Sequence, residues 1–368
     1  VFRRQLLPIP PMASMTPPNS TALHLRAGEW VTVRSKEEIL RTLDERGQLE
    51  HMPFMPEMFQ YCGKRFQVYK RAHKTCDPVN GLESRRLPNT VHLEDLRCDG
   101  QGHGGCQAAC LIFWKEAWLK RDEPGAATNG AASPASPATA TEAGVTAGTL
   151  VVGQDPAAAD LTYVCQATQV VHATTAIKWW DPAPYLEDLK SGNATLFQMF
   201  CAFVFFLYHS LAGRGLGFGS AMLWLYDLWQ KLIGGSPYPW RTGQVPKGVR
   251  TPSAKLDLQE GEMVRVKDYG EILKTLDEDW KNRGLYYDAE MVPYSNGTFR
   301  VKKRVERIVD EKTGKMIRFK TDALLLDNVV CQARYAKCRK LCPRAYYLYW
   351  REIWLERTGV APGGQPKP

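Results

Sequence analysis

The sequence predicts an α+β fold in which two tandem SH3-like small β-barrel modules flank an apolar helical insert. Each module is predicted to be closed by a helix that carries cysteine and tryptophan. Three observations support this prediction: one segment of the chain is repeated, each copy begins with a short alternating strand, and the region between the copies is strongly apolar. The SH3-like assignment is an analogy at the level of fold and implies no function.

The repeat is visible by direct comparison of the two copies. Residues 28–71 match residues 261–304 without a gap, and 18 of the 44 aligned pairs are identical. The match returns where residues 114–121 face residues 350–357. Such similarity within one chain indicates a duplicated structural unit.

The segments outside the repeat differ from it in composition. Residues rich in Ala, Pro, Thr and Gly cannot bury enough apolar surface to fold, so the stretch after the first copy is predicted to be a flexible linker. The predicted organisation is a disordered tail at 1–25, module 1 at 26–121, an Ala/Pro-rich linker at 122–150, a helical middle region at 151–250 with an apolar hairpin at 194–234, module 2 at 256–358 and a tail at 359–368.

Each module opens with a strand and a short helix. Residues 29–34 alternate between polar and apolar side chains, which is typical of a strand. The next residues place Ile39, Leu40 and Leu43 on one face of one or two helical turns. Further strands are predicted at 66–70, 299–308 and 316–319, and Gly314 suits the hairpin turn before the last of these.

The end of each module is predicted to be a helix. In the second copy Tyr346, Trp350 and Trp354 are spaced four apart, which places them on one helical face. The corresponding helix of the first copy would carry Cys106, Cys110 and Trp114.

The insert contains two apolar runs. Residues 194–212 contain no charged side chain other than His209, and this run approaches the ~20 residues of a bilayer span. Residues 221–233 contain Asp227 and Lys231, and a charge at the membrane centre costs about 2.5–3.5 kcal/mol. A buried hairpin that covers the two modules is favoured, and an interfacial membrane helix and a true span are the alternatives.

Charge and cysteine content limit the compartment and the partners. The net charge of +9 permits contact with nucleic acid or anionic lipid, but it is spread over 368 residues. We find no secretory signal, so we expect a cytoplasmic protein. Peripheral association with a membrane is compatible with that location. In a reducing compartment, clusters among the ten cysteines indicate metal ligands or reactive thiols rather than disulfides.

The strongest chemical signal is a cysteine–histidine set in module 1. Cys98, His103, Cys106 and Cys110 fall within 13 residues, in a glycine-rich loop that leads into the predicted helix. The glycines allow the loop to fold back, and three thiols with one imidazole complete the tetrahedral shell that zinc prefers. The spacing matches neither the common zinc fingers nor the ferredoxin iron–sulfur pattern.

Module 2 repeats the thiols without the histidine. Cys331, Cys338 and Cys342 could take a fourth ligand from elsewhere, such as Cys165 or Cys62. Three thiols with an open position would also suit an iron–sulfur cluster. Zinc is favoured over iron–sulfur, and the alternatives are buried free cysteines that pack as small apolar side chains and redox-active or disulfide-forming pairs.

Other polar signals are weaker. Glu57 and Glu290 are duplicated, and we expect each of them to close a loop. Lys302, Lys303 and Arg304 lie in a basic stretch that could follow a phosphate backbone, although a solvated strand face is favoured. The sequence contains no phosphate-binding loop, dinucleotide fingerprint, zinc-protease motif or nucleophile elbow.

The phrases EMVPY, FRVKKRVERIVDEKTGKMIRFK, CPRAYYLYWREIWLER and GCQAACLIFWKEAWL resemble those of a family of uncharacterised bacterial proteins. The resemblance covers both modules and the middle region, and it implies no established activity or ligand. The family pattern has Cys-Gly after Glu-Met-x-x-Tyr in both halves. Here Cys62-Gly63 follows this phrase in module 1, but Ser295-Asn296 follows it in module 2. A metal ligand at Cys62 would therefore have no counterpart in module 2.

The favoured function is therefore a metal-binding scaffold or accessory protein, with zinc as the metal and with a protein partner. Residues 194–234 could place it at a membrane surface within a biosynthetic system. The alternatives are an iron–sulfur or thiol redox enzyme and a nucleic-acid-binding module.

Overall fold

Short antiparallel strands dominate the computed structural model, which describes residues 22–77, 84–122 and 140–358 except 156, 159, 179, 213–218 and 336–339. The strands are β1 (Trp30–Val33), β2 (Gln48–Leu49), β3 (Met52–Pro53), β4 (Arg65–Arg71), β5 (Lys74–Cys76), β6 (Ser84–Arg86), β7 (Thr90–Leu93), β8 (Trp114–Lys115), β9 (Leu119–Arg121), β10 (Thr175–Ala176), β11 (Met263–Val266), β12 (Lys281–Asn282), β13 (Leu285–Tyr286), β14 (Thr298–Val309), β15 (Met316–Leu326) and β16 (Leu355–Arg357).

Most of the described helices are short, and the two longest lie in the insert. The α-helices are α1 (Lys36–Leu40), α2 (Glu142–Ala147), α3 (Gln166–Gln169), α4 (Ala183–Lys190), α5 (Leu196–Ala212), α6 (Gly219–Leu232) and α7 (Tyr269–Leu273). Single 3-10 helices lie at Pro56–Tyr61, Gln101–His103, Glu116–Trp118, Ala289–Tyr294 and Glu352–Trp354.

The two modules share an order of strand pairing. Module 1 has the sheet β8-β7-β4-β1-β9, and module 2 has the sheet β15-β14-β11-β16. Val31 pairs with Phe66 and Val264 with Phe299, so equivalent residues occupy the same register. The described strand orders do not join their two edges, so the SH3-like barrel predicted for each module is not confirmed. The structure is a mixed α+β fold with several antiparallel sheets.

The first helix of each module begins where the sequence provides a cap. Ser35 accepts a hydrogen bond from the backbone N–H of Glu38, whose side chain returns to the Ser35 N–H and completes a capping box. Asp268 caps α7 in the second copy. Each helix turns an isoleucine, Ile39 or Ile272, into the core of its module. A five-residue helix therefore packs against the core of each module.

The prediction of a cysteine-bearing closing helix is wrong. Residues 106–113 contain no helix, and Leu111 forms a bridge with Arg97 before the chain enters β8. Trp114 and Trp118 are both fully buried, as are their counterparts in module 2. Trp350 and Trp354 nevertheless pack edge to face, with ring centroids 6.5 Å apart, across a strand end and one 3-10 turn. The tryptophan spacing therefore did not distinguish this arrangement from a helix.

A buried glutamate binds the entering chain of each module. Glu116 accepts a hydrogen bond from the backbone N–H of Leu25 at 3.0 Å and forms an ion pair with Arg71. In module 2, Glu352 accepts from three successive backbone N–H groups and binds Arg304 at 2.9 Å. Both carboxylates are almost fully buried, so these are internal ion pairs rather than surface contacts.

Two segments predicted to lack structure are partly folded. Leu25, at the end of the predicted tail, lies in the core of module 1. Within the predicted linker, α2 begins at a Thr141 cap and inserts Val145 into the same core. The apolar Val145 side chain stabilises this part of the linker by burial. Residues 123–139 lie outside the described residues.

The apolar insert forms a hairpin of α5 and α6. Neither helix contains a buried side chain among the described residues, so the favoured prediction of a buried hairpin is wrong. Phe197 and Leu196 remain about three-quarters exposed, at 73% and 74%. Among the described residues, no helix has the length and apolar character that a membrane crossing requires.

Candidate functional site

Three donor side chains of module 1 meet in a buried cluster. Glu57, Cys98 and His103 each offer a ligand atom, and these atoms all lie within 4.8 Å of one another. The Cys98 thiol donates a hydrogen bond to Glu57 Oε1 at 3.2 Å, and its Sγ lies 3.6 Å from His103 Nε2. This group could hold a metal ion.

The glycines of the loop allow these three residues to approach. Gly100 has φ +77°, and a Cβ at this position would lie 1.9 Å from the carbonyl oxygen of Cys106. A Cβ at Gly102 would lie 2.7 Å from Glu57 Oε2. A side chain at Gly100 would therefore clash with the backbone of the loop, whereas one at Gly102 would press on the Glu57 carboxylate.

Burial holds the cluster in its neutral forms. It raises the pKa of Glu57 above its usual value and that of Cys98 much further, and it lowers the pKa of His103 to about 4. Within the described part of the chain, the buried Oε2 of Glu57 and Nδ1 of His103 have no hydrogen-bond partner. Such unsatisfied buried atoms are uncommon in folded proteins.

A cavity of about 1190 Å³ adjoins this cluster. Cys98 and His103 form part of its wall, and aromatic side chains from the middle region and module 2 form another part, including Tyr238, Trp240 and Tyr335. The volume exceeds the roughly 300–1,000 Å³ of common ligand sites. The cluster therefore opens onto a space that could admit a sizeable molecule.

Three further predicted thiols line the same cavity, namely Cys106, Cys110 and Cys165. Burial raises the pKa of Cys110 and of Cys165 to about 12, and neighbouring thiols contribute to both shifts. The Cys106 sulfur also accepts a hydrogen bond from the backbone N–H of Val309 in module 2 at 3.3 Å. The structure thus gathers Cys98, Cys106, Cys110 and Cys165 around one space.

The other predicted ligands lie elsewhere. Cys331 and Cys342 are buried in the core of module 2, and Cys338 lies outside the described residues. Cys62 lies beside Lys36 and is absent from the described lining of the cavity.

The duplicated glutamates have different surroundings. In module 2, Glu290 accepts hydrogen bonds from the backbone N–H groups of Arg334 at 3.0 Å and Tyr335 at 2.7 Å. It therefore holds a loop, as the sequence predicts. Glu57 instead faces Cys98 and His103, so the two copies of one motif have diverged in role.

The basic stretch is largely engaged with the protein itself. The Arg304 guanidinium binds Glu352 and lies 2.7 Å from Asp322. Lys302 lies 3.3 Å from Asp327. Lys303 is half-buried on the same strand. The stretch thus contributes to internal ion pairing.

Sequence reasoning missed two contributors to the thiol chemistry. Glu57 precedes Cys98 by 41 residues, and only its place in the duplicated Glu-Met-x-x-Tyr phrase marked it out. Cys76 also lines the cavity, but it stands outside both cysteine-rich phrases and carried no signal. Comparison of the chain with protein-family models, curated proteins and solved structures returned no significant match.

Proposed function

We propose that this is a metal-binding protein in which Glu57, Cys98 and His103 hold one ion, with zinc favoured. The observation that supports the proposal is the convergence of the three donors within 4.8 Å in a buried loop. A carboxylate, a thiolate and an imidazole are all ligands that zinc accepts.

The donor spacing also suits a tetrahedral ion. Zinc bonds of about 2.3 Å to sulfur and about 2.1 Å to nitrogen set these two donors about 3.6 Å apart. Cys98 Sγ and His103 Nε2 have this separation, 3.6 Å. Three protein ligands leave a fourth position, which is characteristic of zinc sites that bind water or a substrate. The adjoining cavity would supply the room for such a molecule.

Elemental analysis of protein purified without oxygen tests this proposal. We expect zinc to be bound, and Cys98→Ser, His103→Asn and Glu57→Gln each to lower metal affinity by at least about tenfold. His172→Asn and Cys201→Ser are matched controls because both side chains are exposed. Equal metal content in the ligand variants and the controls would refute the site.

An iron–sulfur cluster is the second candidate, and a different observation favours it. The thiols of Cys98, Cys106, Cys110 and Cys165 surround the cavity closely enough that charge on one raises the pKa of another. No three of these four sulfurs lie within 4.8 Å of one another. Four cysteine thiolates are the usual ligands of such a cluster.

Both candidates use Cys98, so they exclude each other at this site. A cluster predicts brown protein that contains iron and acid-labile sulfide, and it predicts loss of colour in Cys106→Ser and Cys165→Ser. Neither substitution should strongly affect a single ion held by Glu57, Cys98 and His103.

We also propose that the α5–α6 hairpin rests on an anionic membrane surface. Exposed apolar side chains on both helices support this, including Phe200 at 66% and Trp229 at 60% exposure. Residues 228–256 contain five basic and no acidic residues, which complements anionic lipid. Helices with an open apolar face can lie in the interface plane.

A further inference from the structure

Three parts of the chain enclose the cavity beside the cluster of module 1. Phe113 of module 1, His209 of α5 and Tyr349 of module 2 all line it. Its volume is about 1190 Å³, whereas one water molecule takes roughly 30 Å³ in the liquid. A metal ion with a bound water would therefore occupy only a small part of this cavity, which has the size of a site for an organic molecule.

One wall of the cavity is aromatic and is formed by His209, Tyr238, Trp240, Trp280 and Tyr335. Trp240 meets Trp280 edge to face with ring centroids 6.0 Å apart, and its centroid lies 5.9 Å from that of His209. Aromatic rings bind other rings in edge-to-face and offset-stacked arrangements. A flexible aliphatic chain lacks these contacts and loses more conformational freedom on binding. The aromatic wall therefore favours a planar aromatic ligand.

Hydrogen bonds hold the aromatic wall in place. The Trp280 indole N–H donates to the carbonyl of Arg241 at 2.8 Å, and the Tyr238 backbone N–H donates to Asp227 Oδ1 at 2.8 Å. An ion pair between Arg241 and Asp227 links these two contacts. Trp240 lies between the two anchored residues along the chain. A wall fixed in this way needs little ordering when a ligand binds, which favours affinity.

The wall also carries a hydrogen-bond donor and an acceptor. The buried Nε1 of Trp240 and the buried Oε2 of Glu311 have no hydrogen-bond partner among the described residues. Both residues line the cavity. An indole N–H can only donate and a carboxylate can only accept. A ligand with a hydroxyl or amide group could satisfy either one.

Two acidic side chains of the cavity lining are paired with arginines. Glu311 Oε1 lies 2.7 Å from the Arg344 guanidinium, and Asp77 lies 3.5 Å from that of Arg85. Each pair carries no net charge. These positions therefore do not require a charged ligand.

We propose that this cavity binds a neutral, planar aromatic molecule that carries a hydroxyl or amide group, with its ring against the aromatic wall and its polar group at Trp240 Nε1. The proposal does not depend on a metal ion at Glu57, Cys98 and His103, because the aromatic wall comes from the middle region and module 2.

Isothermal titration calorimetry of metal-free full-length protein tests the proposal with 2-naphthol as the probe. 1-Octanol is the matched probe, since it carries the same hydroxyl on an aliphatic chain. We expect one equivalent of 2-naphthol to bind, at least about tenfold more tightly than 1-octanol. Glu57→Gln should bind 2-naphthol as the wild type does, so this proposal and the metal site can fail separately.

Substitutions of Trp240 locate the probe. Trp240→Phe keeps a ring and removes the N–H, and we expect about two- to tenfold weaker binding of 2-naphthol. Trp240→Leu also removes the ring and should weaken binding by at least about tenfold. Trp224→Leu is the control, because it removes an indole of α6 that is 62% exposed and lies outside the described lining of the cavity.

Three results would overturn the proposal. The first is the absence of 2-naphthol binding to the wild type, and the second is equal affinity for 2-naphthol and 1-octanol. The third is wild-type affinity for 2-naphthol in both Trp240→Phe and Trp240→Leu. Loss of binding in Trp224→Leu alone would likewise place the probe on the exposed hairpin instead of in the cavity. Near-ultraviolet circular dichroism of each variant shows that it folds.

Discussion

Cys98 Sγ lies 3.6 Å from His103 Nε2, with four residues between them in the chain. The contact depends on a reversal of the backbone, in which the N–H of Gly105 donates to the carbonyl of Gly100 at 2.9 Å. The loop backbone, rather than side-chain packing, therefore sets the spacing of these donors.

Substitution of Gly100 tests that dependence. In Gly100→Ala, an alanine must adopt the left-handed backbone conformation of Gly100, which costs roughly 1–2 kcal/mol. Its Cβ would also clash with the carbonyl oxygen of Cys106. We expect metal affinity to fall by at least about tenfold. Gly63→Ala is the control, since Gly63 has φ +74° but no atom within 4 Å of the added Cβ. Equal metal affinity in the two variants would show that the loop does not set the donor spacing.

The buried ion pair of module 1 should contribute strongly to stability. Arg71→Met leaves Glu116 buried without its cation, and such losses cost about 3–5 kcal/mol. Arg265→Met removes an exposed pair with Glu356 and should cost about 1 kcal/mol or less. Urea unfolding measures both free energies. Similar losses of unfolding free energy in the two variants would mean that the buried Arg71–Glu116 pair stabilises the fold no more than an exposed pair does.

His92 should make the fold sensitive to acid. Burial lowers its pKa to about 3, and its Nδ1 lies 2.8 Å from the carbonyl of Ile112. The unfolded chain takes up this proton below about pH 6.5 while the folded chain does not, so stability is lost as the pH falls from about 6.5 towards 3. The loss should approach about 1.4 kcal/mol per pH unit.

His92→Gln removes that proton uptake. Its free energy of unfolding, measured by urea at pH 7.5 and pH 5.5, should change less between the two values than that of the wild type. His172→Asn should keep the wild-type slope because His172 is exposed. An unchanged slope in His92→Gln would assign the acid sensitivity to other groups.

Charged substitutions on the insert test the membrane proposal. Phe197→Glu combined with Phe200→Glu places carboxylates on an exposed apolar face. We expect at least tenfold weaker co-sedimentation with phosphatidylserine vesicles and an unchanged melting temperature. Val152→Glu, at a residue 75% exposed outside the insert, should bind as the wild type does. Wild-type protein that ignores these vesicles would instead favour a protein partner for this face.

The repeat made part of the fold predictable. The strand predicted at 29–34 is β1, the strand predicted at 66–70 is β4, and the strand predicted at 299–308 is β14. The shared face of Ile39, Leu40 and Leu43 likewise predicted the helix observed as α1. Local chemistry was sufficient for these elements.

The closing helix and the ligand sets were not predictable in the same way. Spacing four apart at Trp350 and Trp354 fits a helix and a strand that enters a 3-10 turn equally well. Glu57 and Cys76 reach the thiol groups through tertiary packing, from segments distant in sequence. A motif describes neighbours along the chain, so it carries no information about donors supplied by another strand.

Each module holds its two ends side by side. The first strand pairs with the last, β1 with β9 and β11 with β16, and a buried glutamate fastens the incoming backbone to the outgoing turn. A unit with adjacent ends can be inserted into a longer chain without rerouting the rest of it. Gene duplication could therefore set a second copy downstream and leave the intervening region free to acquire the helical hairpin and the aromatic wall of the cavity.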